Sequence, residues 1–316
     1  MLYIVLFCAL FCLTVKGYSG KKVSCNVKTN DNAFLFNLLR MAFCIVIGLG
    51  FVFFEGTQNL LLPEWKMIAI CVLAGASNSA FLVCWMLAVR KNSMVLVDVA
   101  LTLGSLLPSI LCLVLFDEPF ALSKMIGFAV ILLATLVLSG ENKDKTKKTA
   151  AGMILLVLAA LGDGLSGFSQ QLYKHFYTEG GILAGDTVYP KTIYHLYTYV
   201  FSAVVIGAIL IGYRISAYKK AKPNGDVENQ KERALSVRVT VHIFVMAVCL
   251  FLANYLQTVA TADYRMSSQL MYPIIRGGTL VTVNIVAAMF FGEKMTARKI
   301  TGSLVAILGI IVMSVF

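Results

Sequence analysis

Charged side chains make up only 14% of this 316-residue chain, while 59% of it is hydrophobic. Soluble domains carry roughly a quarter charged residues, and no water-soluble fold of this length hides so much apolar surface, so part of the solvent must be lipid. Histidine is scarce as well. His175, His195 and His242 lie on separate segments, without the HxxxH or DxxD-type spacing that an integral-membrane, lipid-modifying enzyme would place at the headgroup plane. No CxxC pair occurs. Seven of the eight cysteines (Cys8, Cys12, Cys44, Cys71, Cys84, Cys112 and Cys249) fall inside apolar runs, with only Cys25 in a loop, so they read as small buried hydrophobes. Neither a metal nor a cofactor is expected. The Asn-x-Ser/Thr sequon is missing too, which disfavours a lumenal or secreted history. Period-2 alternation of polar and apolar residues is lacking, and that excludes a β-barrel.

What is present is length of apolar run. A spanning helix needs about 20 such residues, and runs of that order cover roughly 1–15, 33–55, 67–89, 93–116 and 121–139. A second set covers roughly 150–173, 191–213, 240–262, 268–292 and 298–316. Short polar breaks such as Arg90-Lys91-Asn92 and Asp117-Glu118-Pro119 separate them. The expectation is an all-α integral membrane protein of ten spans with no separate soluble domain. No basic residue precedes the first run and no small-residue cleavage site follows it, where Lys16, Lys21 and Lys22 come instead, so it is not expected to be a signal peptide.

The two sets repeat. At a fixed offset of 175, Phe116 meets Phe291, Glu118 meets Glu293, Lys124 meets Lys299 and Gly127 meets Gly302; Arg90 also meets Arg265. Apolar matches arise by chance, but charged residues and glycines at one offset do not arise so easily. The expected organisation is a first five-helix repeat over 1–140, a linker over 141–149 and a second repeat over 150–316. Five is odd, so the second copy enters the membrane inverted, the arrangement suited to alternating access at a midplane site.

These residues, Phe116-Asp-Glu-Pro through Lys124 and Gly127, and Phe291-Gly-Glu-Lys through Lys299, Gly302 and Gly309, make the chain resemble the drug/metabolite transporter superfamily in its EamA-like ten-helix form. The segment Met271 to Gly278, with Pro273 and paired glycines, is similar to the ninth helix of that family. The resemblance implies a small-molecule carrier in a bacterial inner (plasma) membrane. It does not imply one substrate, since the superfamily handles amino acids, sugars, nucleotide sugars, vitamins and drugs.

Net charge is +11, and its distribution needs no nucleic-acid partner, because anionic headgroups and topology account for basic loops. About 20 of the 27 lysines and arginines follow the odd-numbered runs and about 5 follow the even-numbered ones. The positive-inside rule therefore puts the termini outside, whereas members of the family are usually drawn with both termini inside.

An ionisable group at mid-bilayer costs about 2.5–3.5 kcal/mol on insertion scales, so each one inside a run wants a reason. Asp163 is the deepest, with Ser166 and Gln170 along its helical face and Gly162, Gly164 and Gly167 beside it. It suits a substrate amine or a coupling proton, or a salt bridge to another helix. Arg276 follows Pro273, precedes Gly277-Gly278 and shares a face with Tyr272 and Thr279. Its guanidinium suits a carboxylate or phosphate, or a structural partnership with Asp98 or Asp163. Asp98 heads a stripe with Thr102, Ser105 and Ser109. Asn254 stripes the eighth run with Thr258 and Thr261, while Asn78 and Trp85 lie seven apart on the third; these amides would line a cavity or glue helices together. Arg40 reads as a snorkelling or capping residue, His195 with Tyr194, Tyr197 and Tyr199 as an interface belt, and Glu118 and Glu293 as loop anchors.

The function expected from these readings is secondary transport of a small organic metabolite by alternating access, with export favoured and an amino-acid-like zwitterion between Asp163 and Arg276 as substrate. A proton is the candidate coupling ion, and the carrier would be a monomer or homodimer. A multidrug or organic-cation efflux carrier is the near variant, although Arg276 argues against a purely cationic substrate. A lipid-modifying enzyme and a channel or scaffold are the readings from other classes.

Overall fold

The computed structural model describes residues 1–24, 26–27, 29–91, 94–118, 121–139, 150–178, 188–221, 236–291 and 296–315; at a few helix positions, Arg90 and Asp98 among them, the backbone alone is described. These residues form α-helices α1 (Leu2–Ser24), α2 (Asn30–Glu55), α3 (Trp65–Lys91), α4 (Met94–Gly104), α5 (Leu106–Phe116), α6 (Leu122–Ser139), α7 (Ala150–Tyr177), α8 (Lys191–Ala221), α9 (Val237–Ala262), α10 (Ser268–Phe291) and α11 (Ala297–Val315), plus one 3₁₀ turn. No strand occurs among the described residues. Seven helices (α1, α2, α3, α7, α8, α9 and α10) are long and apolar enough to cross a membrane, and two shorter apolar segments lie at Ala100–Phe116 and Leu122–Val137. This is the architecture of a multi-pass helical membrane protein.

Apolar residues lie on both the inside and the outside of the bundle. On α6 the buried positions are Gly127, Phe128, Ile131, Ala134 and Thr135, while Leu122, Met125, Ile126, Leu133 and Leu136 face outward. Lipid is as apolar as leucine, so helices associate through close backbone approach at small residues. A Cβ on Gly309 of α11 would come within 2.8 Å of the Gly127 carbonyl oxygen, and one on Gly162 of α7 within 2.6 Å of the Phe81 backbone nitrogen on α3.

Two outcomes differ from the periodicity. The first run does not stop at 15; α1 continues to Ser24 and includes Lys16, whose side chain is partly exposed. The fourth run is two helices meeting at Ser105. Pro108 has no N–H for the carbonyl four residues back, and that carbonyl, of Gly104, lies where a Cβ on Gly164 would approach to 2.6 Å. Proline frees the carbonyl and glycine lets α7 lie against it. Pro273 sits inside α10 without dividing it.

The most extensive packing pairs α3 with α7 and α8, α1 with α9, α2 with α8, and α6 with α11. Further pairs are α2 with α9, α10 with α1 and α11, α7 with α4 and α5, and α4 with α6.

Candidate binding site

The centre of the bundle holds four charged side chains from four helices. Arg276 of α10 donates a hydrogen bond from its guanidinium to Oδ2 of Asp163 on α7, forming an ion pair. The pair is not sealed: the Arg276 and Asp163 side chains keep 25% and 15% of their surface accessible although both lie mid-helix. Lys16 of α1 lies within electrostatic reach of Asp163, Arg276 and Arg40. Arg40 of α2 is 2% exposed; its guanidinium donates to Asn37 Oδ1, and its Nε is buried without a partner. Arg40 is therefore inside the bundle, and a snorkelling role is overturned. An unsatisfied buried donor costs about 1–3 kcal/mol.

Local sequence places these groups. Gly164 and Gly167 bring α7 against α4, α5 and Tyr272, and a Cβ on Gly278 of α10 would meet Leu10 of α1 at 2.7 Å. Close backbones let short side chains reach each other at the centre. Gly20, one turn beyond Lys16, lies under the Trp85 ring of α3, with the ring edge 3.5 Å from where its Cβ would stand.

The remaining sequence candidates divide. Tyr272 donates to the Gly167 carbonyl and lies 3.3 Å from Gln170 Oε1, so Gln170 and Tyr272 join α7 to α10 beside the ion pair. Asn78, 3% exposed, donates to Ser202 Oγ at 2.9 Å and bonds α3 to α8. Asn254 donates to the Tyr199 hydroxyl at 3.0 Å, joining α9 to α8. The Asp98 side chain and Glu293 lie outside the described residues. Thr102, Ser105 and Ser109 of the same stripe are buried, and Ser109 Oγ has no partner. His195 does not sit in an interface belt. It is 1% exposed, 3.0 Å from Thr258 Oγ1 and stacked on Tyr199. Tyr194 and Tyr199 are equally buried.

One end of the bundle carries a second polar network. Glu118, after α5, accepts from Lys174 at 3.4 Å and from Ser268 Oγ at 2.8 Å, with His175 Nε2 at 3.5 Å. Burial pushes its carboxyl up, but the contacts from His175, Lys174 and Ser268 prevail and hold it at about 2, from an ordinary 4.5. At the same end Tyr177 donates to Glu64 at 2.6 Å, Thr192 to Glu55 at 2.7 Å, and Lys191 pairs with Asp263 at 2.8 Å. Glu118 is thus a loop anchor tying the ends of α5, α7 and α10 together.

Sequence reasoning missed Lys16, and a signal for it existed. Lys16-Gly-Tyr-Ser-Gly20 in α1 and Asp163-Gly-Leu-Ser-Gly167 in α7 share Gly-x-Ser-Gly behind a charged residue, at an offset of 147. No family model and no curated protein matches the chain. Twenty-eight chains of solved structures match it. One, described as "Crystal structure of protein", has a TM-score of 0.74 at 11% identity, covering 98% of this chain and 95% of its own. That likeness shows a shared fold over essentially the whole chain.

Proposed function

We propose that the chain is a secondary transporter of a small organic metabolite, of the drug/metabolite transporter type, built as two inverted five-helix repeats over 1–140 and 150–316. Taking α4 and α5 as one span gives ten. Exchanging the halves then turns the α1–α9 contact into α7–α3, α2–α9 into α8–α3, and α10–α1 into α4/α5–α7, while α2–α8 and α6–α11 map onto themselves; each of these contacts occurs. The buried positions of α11, Gly302, Ser303, Ala306 and Gly309, stand 175 residues after Gly127, Phe128, Ile131 and Ala134 of α6, which are buried too. Two bundles of one design, hinged about a common centre, have what alternating access requires.

The observation that carries the reading is the Asp163–Arg276 pair: a charge pair midway along two helices of a lipid-facing bundle, α7 and α10 of the second repeat, and still accessible. Intramembrane charges cost enough that their default reading is a functional site, transport pathways among them. The polar network at the end holding both termini supports a state closed there and open towards the basic end. By the positive-inside rule the basic end faces the cytoplasm of a plasma membrane.

The test is counterflow in proteoliposomes. Vesicles preloaded with candidate metabolites should accumulate the labelled solute with saturation, and Arg276→Gln should abolish it. Non-saturating leakage would mean a channel, and a chemically altered solute would mean an enzyme.

A further inference from the structure

We infer that the central site takes an organic anion, one bearing a phosphate or paired carboxylates, rather than a zwitterion or a cation. The inference rests on the transporter reading and narrows its substrate. Three of the four charges at the bundle centre are positive. Asp163 is engaged by Arg276 and is the one carboxylate within electrostatic reach of Lys16, which leaves the Arg40 guanidinium with none. Among the described residues Lys16 makes no hydrogen bond or ion pair, and Arg40 bonds only to the neutral Asn37, its Nε unmet in a side chain 2% exposed. A buried guanidinium with an unmet donor is costly unless an anion visits it, and Lys16, partly exposed, adds a second cation within its electrostatic reach. A zwitterion that took Arg276 with its carboxylate and the released Asp163 with its amine would still leave Lys16 and Arg40 unmet, whereas a phosphate or a second carboxylate answers them. Lys16 and Asp163 occupy matching places in the Gly-x-Ser-Gly segments of α1 and α7. The two repeats therefore differ in charge sign where their design is otherwise alike, and Arg40 and Arg276 tip the balance to positive. The ion pair gives the site a competitor: an arriving anion takes Arg276 from Asp163, so the carboxylate opposes binding until displaced.

Binding to the purified protein in nanodiscs would be measured by thermal shift and by titration with glycerol 3-phosphate, succinate, alanine and tetramethylammonium. Glycerol 3-phosphate or succinate should stabilise the protein, and alanine and tetramethylammonium should not. Lys16→Gln and Arg40→Gln should weaken the anion at least tenfold, while Lys16→Arg, which keeps the charge and guards against misfolding, should stay within about threefold. Asp163→Asn should tighten the anion by releasing Arg276. No response to either anion, or a response unchanged in Lys16→Gln, overturns the proposal, as does a preference for alanine that Asp163→Asn abolishes. Counterflow with the same compounds separates the two levels. Alanine counterflow that survives Lys16→Gln keeps the transporter and removes the anion site. Anion binding with the expected variant effects but no counterflow does the reverse.

Discussion

Two polar clusters lie within this apolar bundle, and they are built on opposite accounts of charge. At the end holding both termini each of these acids has donors: Glu118 has Lys174, His175 and Ser268, Glu55 has the hydroxyls of Thr192 and Tyr255, and Asp263 has Lys191. At the centre, Lys16, Arg40 and Arg276 share one carboxylate, that of Asp163. A matched network at helix ends rigidifies and closes. An unmatched one in the middle of the fold waits for something that the chain itself does not supply. The contrast separates a latch from a binding site more sharply than depth or residue type does, because both clusters are partly buried and both use lysine and carboxylates.

The largest effect that tests this contrast is on the latch. Glu118→Ala leaves Lys174, whose side chain is 14% exposed, with its charge uncompensated, and removing one partner of a buried pair costs about 3–5 kcal/mol. Thermal unfolding in detergent should show a loss near the lower end of that range. The same carboxylate sets a pH window. Its value in the folded protein is about 2, below the ordinary 4.5, so its contribution is complete above about 4.5 and is lost as pH falls towards about 2. The gap in midpoint between wild type and Glu118→Gln should therefore be full at pH 6 and narrow at pH 3. A gap constant across that range would mean that Glu118 holds α5, α7 and α10 by shape rather than by charge.

How much of this was legible before the fold was known depends on what each residue signals alone. Long apolar runs located the helices, and Asp163 and Arg276 stood out because nothing else in their runs is charged. Lys16 did not, because hydropathy falls off at the end of a run whether the helix stops or merely acquires polar residues. The division of the fourth run at Ser105 was hidden by apolar sequence on both sides, although Pro108 marked the carbonyl that is freed. His195 misled because tyrosines near a helix start look alike at an interface and in a core. The informative pattern was the i, i+4 stripe Tyr194, Thr198 and Ser202, which runs polar groups deeper along one face, and all three are buried. For Asn78 and Asn254 the polar stripes were legible but not the direction they face, and both turn to neighbouring helices.

A smaller effect tests whether the centre depends on backbone contact. Gly162 adjoins Asp163, and a Cβ there would stand 2.6 Å from the Phe81 nitrogen and 2.8 Å from the Ser77 carbonyl oxygen, both backbone atoms of α3. Backbone cannot give way as a side chain tip can, so Gly162→Ala should cost about 1–3 kcal/mol as overpacking and should push Asp163 off Arg276. Gly50→Ala is the control, since nothing lies within 4 Å of its Cβ. It should leave the midpoint unchanged or slightly raised, because alanine favours helix over glycine by about 1 kcal/mol. Equal losses in both variants would mean that α7 does not depend on its glycines for its approach to α3.

The smallest expected effect lies at the basic end, where Arg214 of α8 donates from Nε and Nη2 to the Asp31 carboxylate at the start of α2, at 2.8 and 3.0 Å. The geometry is bidentate, yet the side chains are 56% and 31% exposed. Water and salt screen such a pair, and exposed pairs are worth about 0–1 kcal/mol. Arg214→Gln should therefore shift the unfolding midpoint by less than a third of the Glu118→Ala shift, and its effect should fade as salt rises from 50 to about 500 mM, where the Debye length drops well below 10 Å. If instead it destabilised as strongly as Glu118→Ala, with no salt dependence, the basic end would be latched as firmly as the other. The centre would then be closed on both sides, and the route by which an anion reaches Lys16 and Arg40 would have to be sought elsewhere in the bundle.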